Sequence, residues 1–323
     1  MKITRHPILT ILCALAMVSC GASRSGSATD SAALPAASDY TPAFNADSAY
    51  SYVKSQVDMG PRVPNTPAHR RASAWLADEL RRHGASVTLQ PMQLKAFDGT
   101  LLDAVNVFGQ FNPGAERRIL LLAHYDCRPW ADNDPDPDKH TLPVDGANDG
   151  ASGVGVILEL ARLMGQQAPD CGVDILFADA EDWGNSGDDS SWALGTRYFA
   201  GNPPVADYAP DEAILLDMVG APDAVFPHEI YSLQNAPGLV SGIWATAASL
   251  GLEDRFISQP GGAINDDHVE LLKAGIPAVD IIDLRPEGGF PDRWHTTSDN
   301  MEGISAQTLG DVGRVIETYI RTR

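Results

Sequence analysis

Basic residues are scarce in this chain of 323 residues. Its 23 Lys and Arg stand against 43 Asp and Glu, which gives a formal net charge of −20. Proteins that bind nucleic acid need a basic footprint to neutralise phosphates. The charge balance therefore argues against nucleic acid as a partner, although it does not indicate a fold.

Cysteines are also few, at four. Cys13 and Cys20 belong to the extreme N-terminus, which leaves Cys127 and Cys171 for the folded part. Cys127 follows one predicted strand and Cys171 precedes the next, so parallel pairing would place them at opposite ends of a sheet about 20 Å long. A disulfide needs Cα atoms within about 7 Å. We therefore predict two free thiols.

The apolar run at 8–18 is too short to span a bilayer as a stable helix. It follows Lys2 and Arg5 and ends in Val18-Ser19-Cys20, which resembles a bacterial lipoprotein cleavage site. An ordinary signal peptide with an incidental cysteine is the alternative, and both interpretations predict export. We expect a protein of the cell envelope, on the periplasmic side, anchored through Cys20. The predicted boundaries are a signal peptide at 1–19, a lipidated cysteine with a flexible Ser/Ala/Gly-rich tether at 20–44, and a catalytic domain at 45–323.

Segments with the patterns of half-buried or fully buried strands alternate with segments of helical periodicity. The strands are predicted at 87–94, 105–111, 118–123, 173–178, 213–216 and 278–282, and the main helices at 153–164, 238–250, 267–274 and 306–320. Alternation of this kind is typical of a sheet covered by helices on both faces. The predicted fold class is α/β, a single domain with a central mixed, mostly parallel sheet.

Polar side chains directly follow three of the predicted buried strands. Ligands of open α/β sheets bind at the carboxyl ends of parallel strands. Crowded carboxylates repel one another unless a cation is present, and His, Asp and Glu are zinc ligands. Taken singly, each residue has a structural explanation, such as a helix N-cap for Asp149. Taken together, they predict a metal site built from strand-end residues and two loops: His124, Asp126, Asp149, Glu181, Asp182, Asp217 and His295.

The order of these motifs resembles the zinc-aminopeptidase superfamily, in which two zincs share the ligands. The matching segments are His124-x-Asp126, the Gly-Ala-Asn-Asp-Gly-Ala-Ser-Gly segment at 146–153, Glu181-Asp182, the Leu-Asp-Met-Val-Gly segment at 216–220, Asp267-His268 and His295. Within the superfamily the chain most resembles the animal-type glutaminyl cyclases. Three features carry this resemblance: Ala221-Pro222 with Phe226-Pro227, Asp266 where the aminopeptidases usually have serine, and the Phe-Pro-Asp-Arg-Trp-His-Thr segment at 290–296.

The resemblance implies one zinc per chain, held by Asp149, Asp182 and His295. It implies Glu181 as the general acid and base, supported by an acidic network of Asp217 and Asp266. The expected activity is cyclisation of N-terminal glutamine of peptides or proteins to pyroglutamate, with release of ammonia. The expected site residues around the substrate are Phe290, Trp294, and Trp183 or Trp192, and His124 and Asp126 would hold a second metal or support the site.

Two departures from the animal cyclases concern this pocket. Asp182 stands where they have glutamate, so its shorter side chain must reach zinc through backbone position. Their tryptophan after the acidic pair aligns with Gly187, and the sequence leaves open whether Trp183 or Trp192 replaces it.

Several alternatives remain open at this point. His124 and Asp217 could hold a second zinc, which would make the chain a two-zinc aminopeptidase. A lipid-anchored binding protein on an inactive hydrolase scaffold is a further possibility. The acidic loop at 132–138 is interpreted as solvated, with weak calcium binding as the alternative. The sequence predicts no oligomeric state and no natural substrate.

Overall fold

A mixed sheet of six strands lies at the centre of the structure, a computed structural model that describes residues 40–285 and 288–323. Its strand order is β1-β2-β4-β3-β5-β8. β1 and β2 form an antiparallel hairpin that joins β4, and β4, β3, β5 and β8 are parallel. β6 and β7 form a separate parallel pair. The strands are β1 Ser86–Lys95, β2 Leu101–Phe111, β3 Arg118–His124, β4 Gly172–Ala178, β5 Glu212–Asp217, β6 Phe226–His228, β7 Phe256–Pro260 and β8 Ala278–Ile282.

Helices cover both faces of this sheet. α1, α3 and α8 pack together on one face, and α4 and α7 pack on the other. The predicted α/β class, with a mixed and mostly parallel sheet, is confirmed. The helices are α1 Ala46–Val57, α2 Pro67–Arg82, α3 Ala151–Gln166, α4 Leu194–Gly201, α5 Ile230–Asn235, α6 Pro237–Ser249, α7 Asp267–Lys273 and α8 Ala306–Arg321.

The strand connections create a crevice at the centre of the sheet. The chain leaves β3 toward β4 on one side, whereas it leaves β5 toward β8 on the other. Ligands bind at such a switch point, outside the carboxyl ends of the strands. His124 is the last residue of β3 and Asp217 is the last residue of β5. The topology therefore places both side chains at the crevice.

The start of the described chain is held against α8. The carboxylate of Glu317 accepts hydrogen bonds from the Tyr40 hydroxyl and from the backbone N–H groups of Ala43 and Phe44. Residues 40–44, which the sequence assigns to the flexible tether, are thus attached to the domain. The predicted signal peptide, Cys20 and the rest of the tether lie outside the described residues.

Two further expectations concern thiols and membrane spans. Cys127 and Cys171 are buried free thiols, as predicted. Among residues 40–285 and 288–323, no helix combines the length and apolar character that a bilayer crossing requires.

Close packing of α3 on the sheet positions the loop that precedes it. A Cβ atom on Gly153 would lie 1.9 Å from the carbonyl oxygen of Leu216, the residue before Asp217. Glycine is therefore required for the first turn of α3 to rest on the end of β5. This contact brings Asp149 over the strand ends.

We predict that Gly153→Ala lowers the free energy of unfolding by about 1–3 kcal/mol, because the added methyl group forces helix and strand apart. The measurement is denaturant unfolding followed by circular dichroism. Gly238→Ala in α6 is the matched control, since a Cβ there meets nothing within 4 Å. It should change stability by less than about 0.5 kcal/mol. Equal losses in both variants would contradict the packing argument.

Candidate metal centre and active site

Asp149, Asp182 and His295 converge from three different segments. Asp149 precedes α3, Asp182 follows β4, and His295 lies between β8 and α8. The Nε2 atom of His295 lies 3.2 Å from Oδ1 of Asp182 and 3.6 Å from Oδ2 of Asp149. Ligand atoms about 2.1 Å from a tetrahedral zinc lie about 3.4 Å from each other. The three buried side chains therefore fit one zinc with a fourth position left open, and the shorter Asp182 does reach the site.

A second group of possible ligands shares Asp149. Nε2 of His124 lies 2.9 Å from Oδ1 of Asp149 and 3.4 Å from Oδ1 of Asp217. These three atoms are also close enough to hold a metal ion. Burial would lower the pKa of His124, but hydrogen bonds to Asp126, Asp149 and Asp217 outweigh burial and raise it well above its usual value. The imidazole of His124 bridges the carboxylates of Asp149 and Asp217.

Asp126 supports the backbone of the acidic pair. Its Oδ1 accepts a hydrogen bond from the N–H of Glu181 at 3.1 Å, and its Oδ2 accepts one from the N–H of Asp182 at 3.2 Å. Its nearest approach to His124 is 3.5 Å, at Nδ1. Of the two roles considered for Asp126, this geometry corresponds to support rather than metal binding.

Glu181 lies in a cavity of about 230 Å³ together with Asp217 and Asp266. Burial and the charge of Asp266 raise the pKa of Glu181 well above its usual value. Burial, with the neighbouring carboxylates, raises the pKa of Asp217 to about 6 and that of Asp266 to about 7. A proton shared among these groups is therefore available near neutral pH.

Aromatic side chains form the walls of the same cavity. Trp192, Phe290 and Trp294 line it. The ring of Trp294 stacks on His295 with centroids 3.7 Å apart and contacts Phe290 at 4.3 Å. Trp192 is nearly parallel to His295 at 6.0 Å.

Trp183 lies outside this cavity. Its ring contacts Trp130 at 5.7 Å, and its Nε1 donates a hydrogen bond to Asp98. It packs beside Met92 and Leu102 of the β1–β2 hairpin. Of the two tryptophans that the sequence left open, only Trp192 is in a position to contact a substrate in the cavity.

Sequence reasoning missed Asp299. Its two carboxylate oxygens accept hydrogen bonds from the N–H groups of Asn148 at 2.7 Å and Asp149 at 3.1 Å. Asp299 thereby joins the segment that carries His295 to the segment that carries Asp149. The only signal in the sequence is its place in the polar segment that follows His295, which does not reveal the contact.

The acidic loop at 132–138 is tied to the site by its first two aspartates. Oδ1 of Asp132 lies 3.5 Å from Nδ1 of His295, and Asp132 also pairs with Arg128. Oδ2 of Asp134 accepts hydrogen bonds from the N–H and hydroxyl of Thr297. These aspartates do not converge as a metal site among the described residues. The calcium alternative therefore has no support in the geometry, and the loop is only partly solvated.

The profile of peptidase family M28 matches residues 106–320. The chain belongs to peptidase family M28. This chain is 27% identical to the glutaminyl-peptide cyclotransferase of Bos taurus, with 80% of this chain and 77% of that protein covered. It is 47% identical to a solved glutaminyl cyclase from Bacteroides thetaiotaomicron, with 88% of this chain and 100% of that chain covered and a TM-score of 0.86.

A solved Zn-dependent exopeptidase from Parabacteroides distasonis is 49% identical, with the same coverage and TM-score. The predicted membership of the glutaminyl cyclases within the zinc-peptidase superfamily is confirmed. The zinc cofactor is confirmed by the family and the Zn-dependent relative, and the group formed by Asp149, Asp182 and His295 is one that could hold a metal ion.

We predict that Asp299→Asn weakens zinc binding about 10-fold or more, because an amide retains only one acceptor for two N–H groups. Competition with a chromophoric chelator measures the zinc dissociation constant. Asp292→Asn, in the same segment but exposed, is the control and should leave the constant unchanged. A folded Asp299→Asn protein with unaltered zinc affinity would rule out this role.

Proposed function

We propose that this protein is a zinc-dependent glutaminyl-peptide cyclotransferase, which converts N-terminal glutamine of peptides and proteins to pyroglutamate and ammonia. The observation that carries the proposal is the composition of one cavity. Glu181 faces the zinc ligands there, beside two further buried carboxylates and between aromatic walls. The relatives named glutaminyl cyclases support the same conclusion.

The reaction is intramolecular and consumes no water. The α-amine of the substrate attacks its own γ-amide carbon, so that a ring C–N bond forms and the bond to the amide nitrogen breaks. A site that holds both groups at contact distance lowers the entropic part of the activation barrier. Zinc, when bound, polarises the γ-carbonyl oxygen and stabilises the charge that develops on it. The walls formed by Trp192, Phe290 and Trp294 hold the glutamine side chain.

Glu181 carries the proton between the two nitrogens. As a carboxylate it accepts a proton from the attacking amine, and as a carboxylic acid it donates one to the departing nitrogen. A general acid and base works best when its pKa lies near the operating pH. Burial and the charge of Asp266 supply the required upward shift of the Glu181 pKa. Asp217 and Asp266 form the network within which this proton is shared.

We predict that Glu181→Gln abolishes turnover and leaves zinc bound. The assay follows a peptide with N-terminal glutamine by mass spectrometry, where cyclisation removes about 17 Da as ammonia. Wild-type activity should disappear with a chelator and return with zinc. Loss of zinc from Glu181→Gln would show that this residue is a ligand rather than the base.

The zinc count separates the cyclase from the two-zinc aminopeptidase. A second zinc at His124, Asp149 and Asp217 would be expected for hydrolysis of a peptide bond by water. We expect one zinc per chain by elemental analysis, together with an unchanged peptide length after reaction. Two zincs and release of a free amino acid would instead establish the aminopeptidase. One zinc with neither reaction would favour the binding protein.

We also propose that the protein is anchored to the cell envelope by a lipid on Cys20, facing the periplasm. The support is the short apolar run, its basic start and the small residues that flank Cys20. Metabolic labelling with palmitate should mark the wild-type protein, and Cys20→Ser should abolish the label and move the protein out of the membrane fraction. Unlabelled wild-type protein would indicate an ordinary signal peptide.

A further inference from the structure

Arg128 is a buried cation that the proposed chemistry does not use. Its side chain is 1% exposed, and it follows β3 by four residues, behind the zinc ligands. A buried arginine is costly unless its charge and its N–H groups all find partners. Here the partners belong to two parts of the active site.

One set of contacts is with the metal ligands and their support. Nε and Nη2 donate to the two carboxylate oxygens of Asp132 at 2.7 and 2.6 Å, and Asp132 in turn approaches Nδ1 of His295. Nη1 lies 3.1 Å from the carbonyl oxygen of Asp182 and 3.4 Å from its Oδ1. It also donates to the carbonyl of Gly184. One guanidinium thus touches Asp182 directly and reaches His295 through Asp132.

The other set of contacts is with indole rings. The guanidinium carbon lies 5.0 Å from the ring centroid of Trp192 and 5.1 Å from that of Trp130. Both distances are within the range of a cation–π interaction. The ring of Trp192 packs directly on Gly184, where an added Cβ atom would lie 2.0 Å from the ring. Arg128 therefore also contacts the wall against which glutamine would lie.

We propose that Arg128 is a positioning residue that acts on zinc retention through Asp182 and Asp132, and on glutamine binding through Trp192. This inference rests on the proposed function for its second half only. Lysine cannot replace the residue, because it is a point charge that lacks the planar fork needed to engage Asp132 at two oxygens while Nη1 reaches Asp182. Breaking a hydrogen-bond network that orients metal ligands commonly weakens metal binding about 10- to 100-fold.

The first experiment measures zinc affinity. Arg128→Lys and Arg128→Met should raise the zinc dissociation constant about 10- to 100-fold in chelator competition. Arg118→Lys is the matched control. Arg118 also forms a two-oxygen pair with a buried aspartate, Asp174, but it begins β3 at the end of the sheet opposite the site. The control should lose stability without a change in zinc affinity.

The second experiment isolates Trp192. With zinc saturating, Arg128→Met should raise KM for a glutamine peptide about 3- to 10-fold, in keeping with the loss of a cation–π contact, and change kcat less. Trp192→Leu should raise KM as well, and the double variant should show less than the product of the two effects, because both act on one contact. Multiplicative effects would mean that Arg128 does not act through Trp192.

If the Arg128 variants do not fold, Asp132→Asn is the variant in which zinc affinity is measured instead. Asp132 is about one-third exposed, so its replacement should be tolerated, and it removes the two-oxygen pair while the cation stays. It should raise the zinc dissociation constant, and unchanged affinity in this variant would overturn the proposal. If the wild-type protein binds zinc but does not cyclise glutamine, the proposed function fails, whereas the zinc measurements still decide the first half of this inference.

Discussion

Repulsion among buried carboxylates at one edge of the sheet is the constraint on which the rest of the structure depends. Asp149, Glu181, Asp182, Asp217 and Asp266 are all at least nine-tenths buried there. Buried like charges this close cannot all remain ionised without compensation. Three sources of compensation are available: a divalent cation that Asp149 and Asp182 would hold together with His295, protonated or hydrogen-bonded states of the other carboxyl groups, and the positive charges of a protonated His124 and of Arg128. The proposed catalysis uses the second of these, since a carboxyl group whose pKa is raised toward neutral pH by burial and repulsion can both accept and donate a proton.

Two carboxylates hold in place the backbone of the segments that carry Asp182 and Asp149. Asp126 accepts the N–H groups of Glu181 and Asp182, and Asp299 accepts those of Asn148 and Asp149. Each therefore fixes the backbone of a consecutive polar pair that includes one zinc ligand. These hydrogen bonds keep carboxylates close together that would otherwise move apart because their charges repel one another. The site is thus arranged by the backbone as much as by side-chain rotamers.

The sequence was informative where the signal is local and weak where it is not. Buried strands appear as apolar runs, and the residues that end them are necessarily at the carboxyl edge, so His124, Glu181, Asp182 and Asp217 could be found. Asp299 and Arg128 act through the backbone or rings of distant segments, which no spacing reveals. Ala180, Ala193, Met218 and His295 adopt positive φ beside these site residues, a conformation that only tertiary contacts can impose on residues other than glycine. The positive φ of Ala193 comes directly after Trp192. No local pattern in the sequence distinguishes Trp192 from Trp183.

Relatives named for cyclisation and for hydrolysis share this fold, at 47% and 49% identity to the chain and with equal TM-scores. The distinction must lie in what occupies the space around the shared ligands. A hydrolase needs a metal-activated water beside the scissile carbonyl. Here the corresponding space is lined by Trp192, Phe290 and Trp294, and Asp266 adds a further buried carboxyl group beside Glu181. Aromatic walls together with a proton-sharing network suit an amine that attacks its own side chain, a reaction that consumes no water.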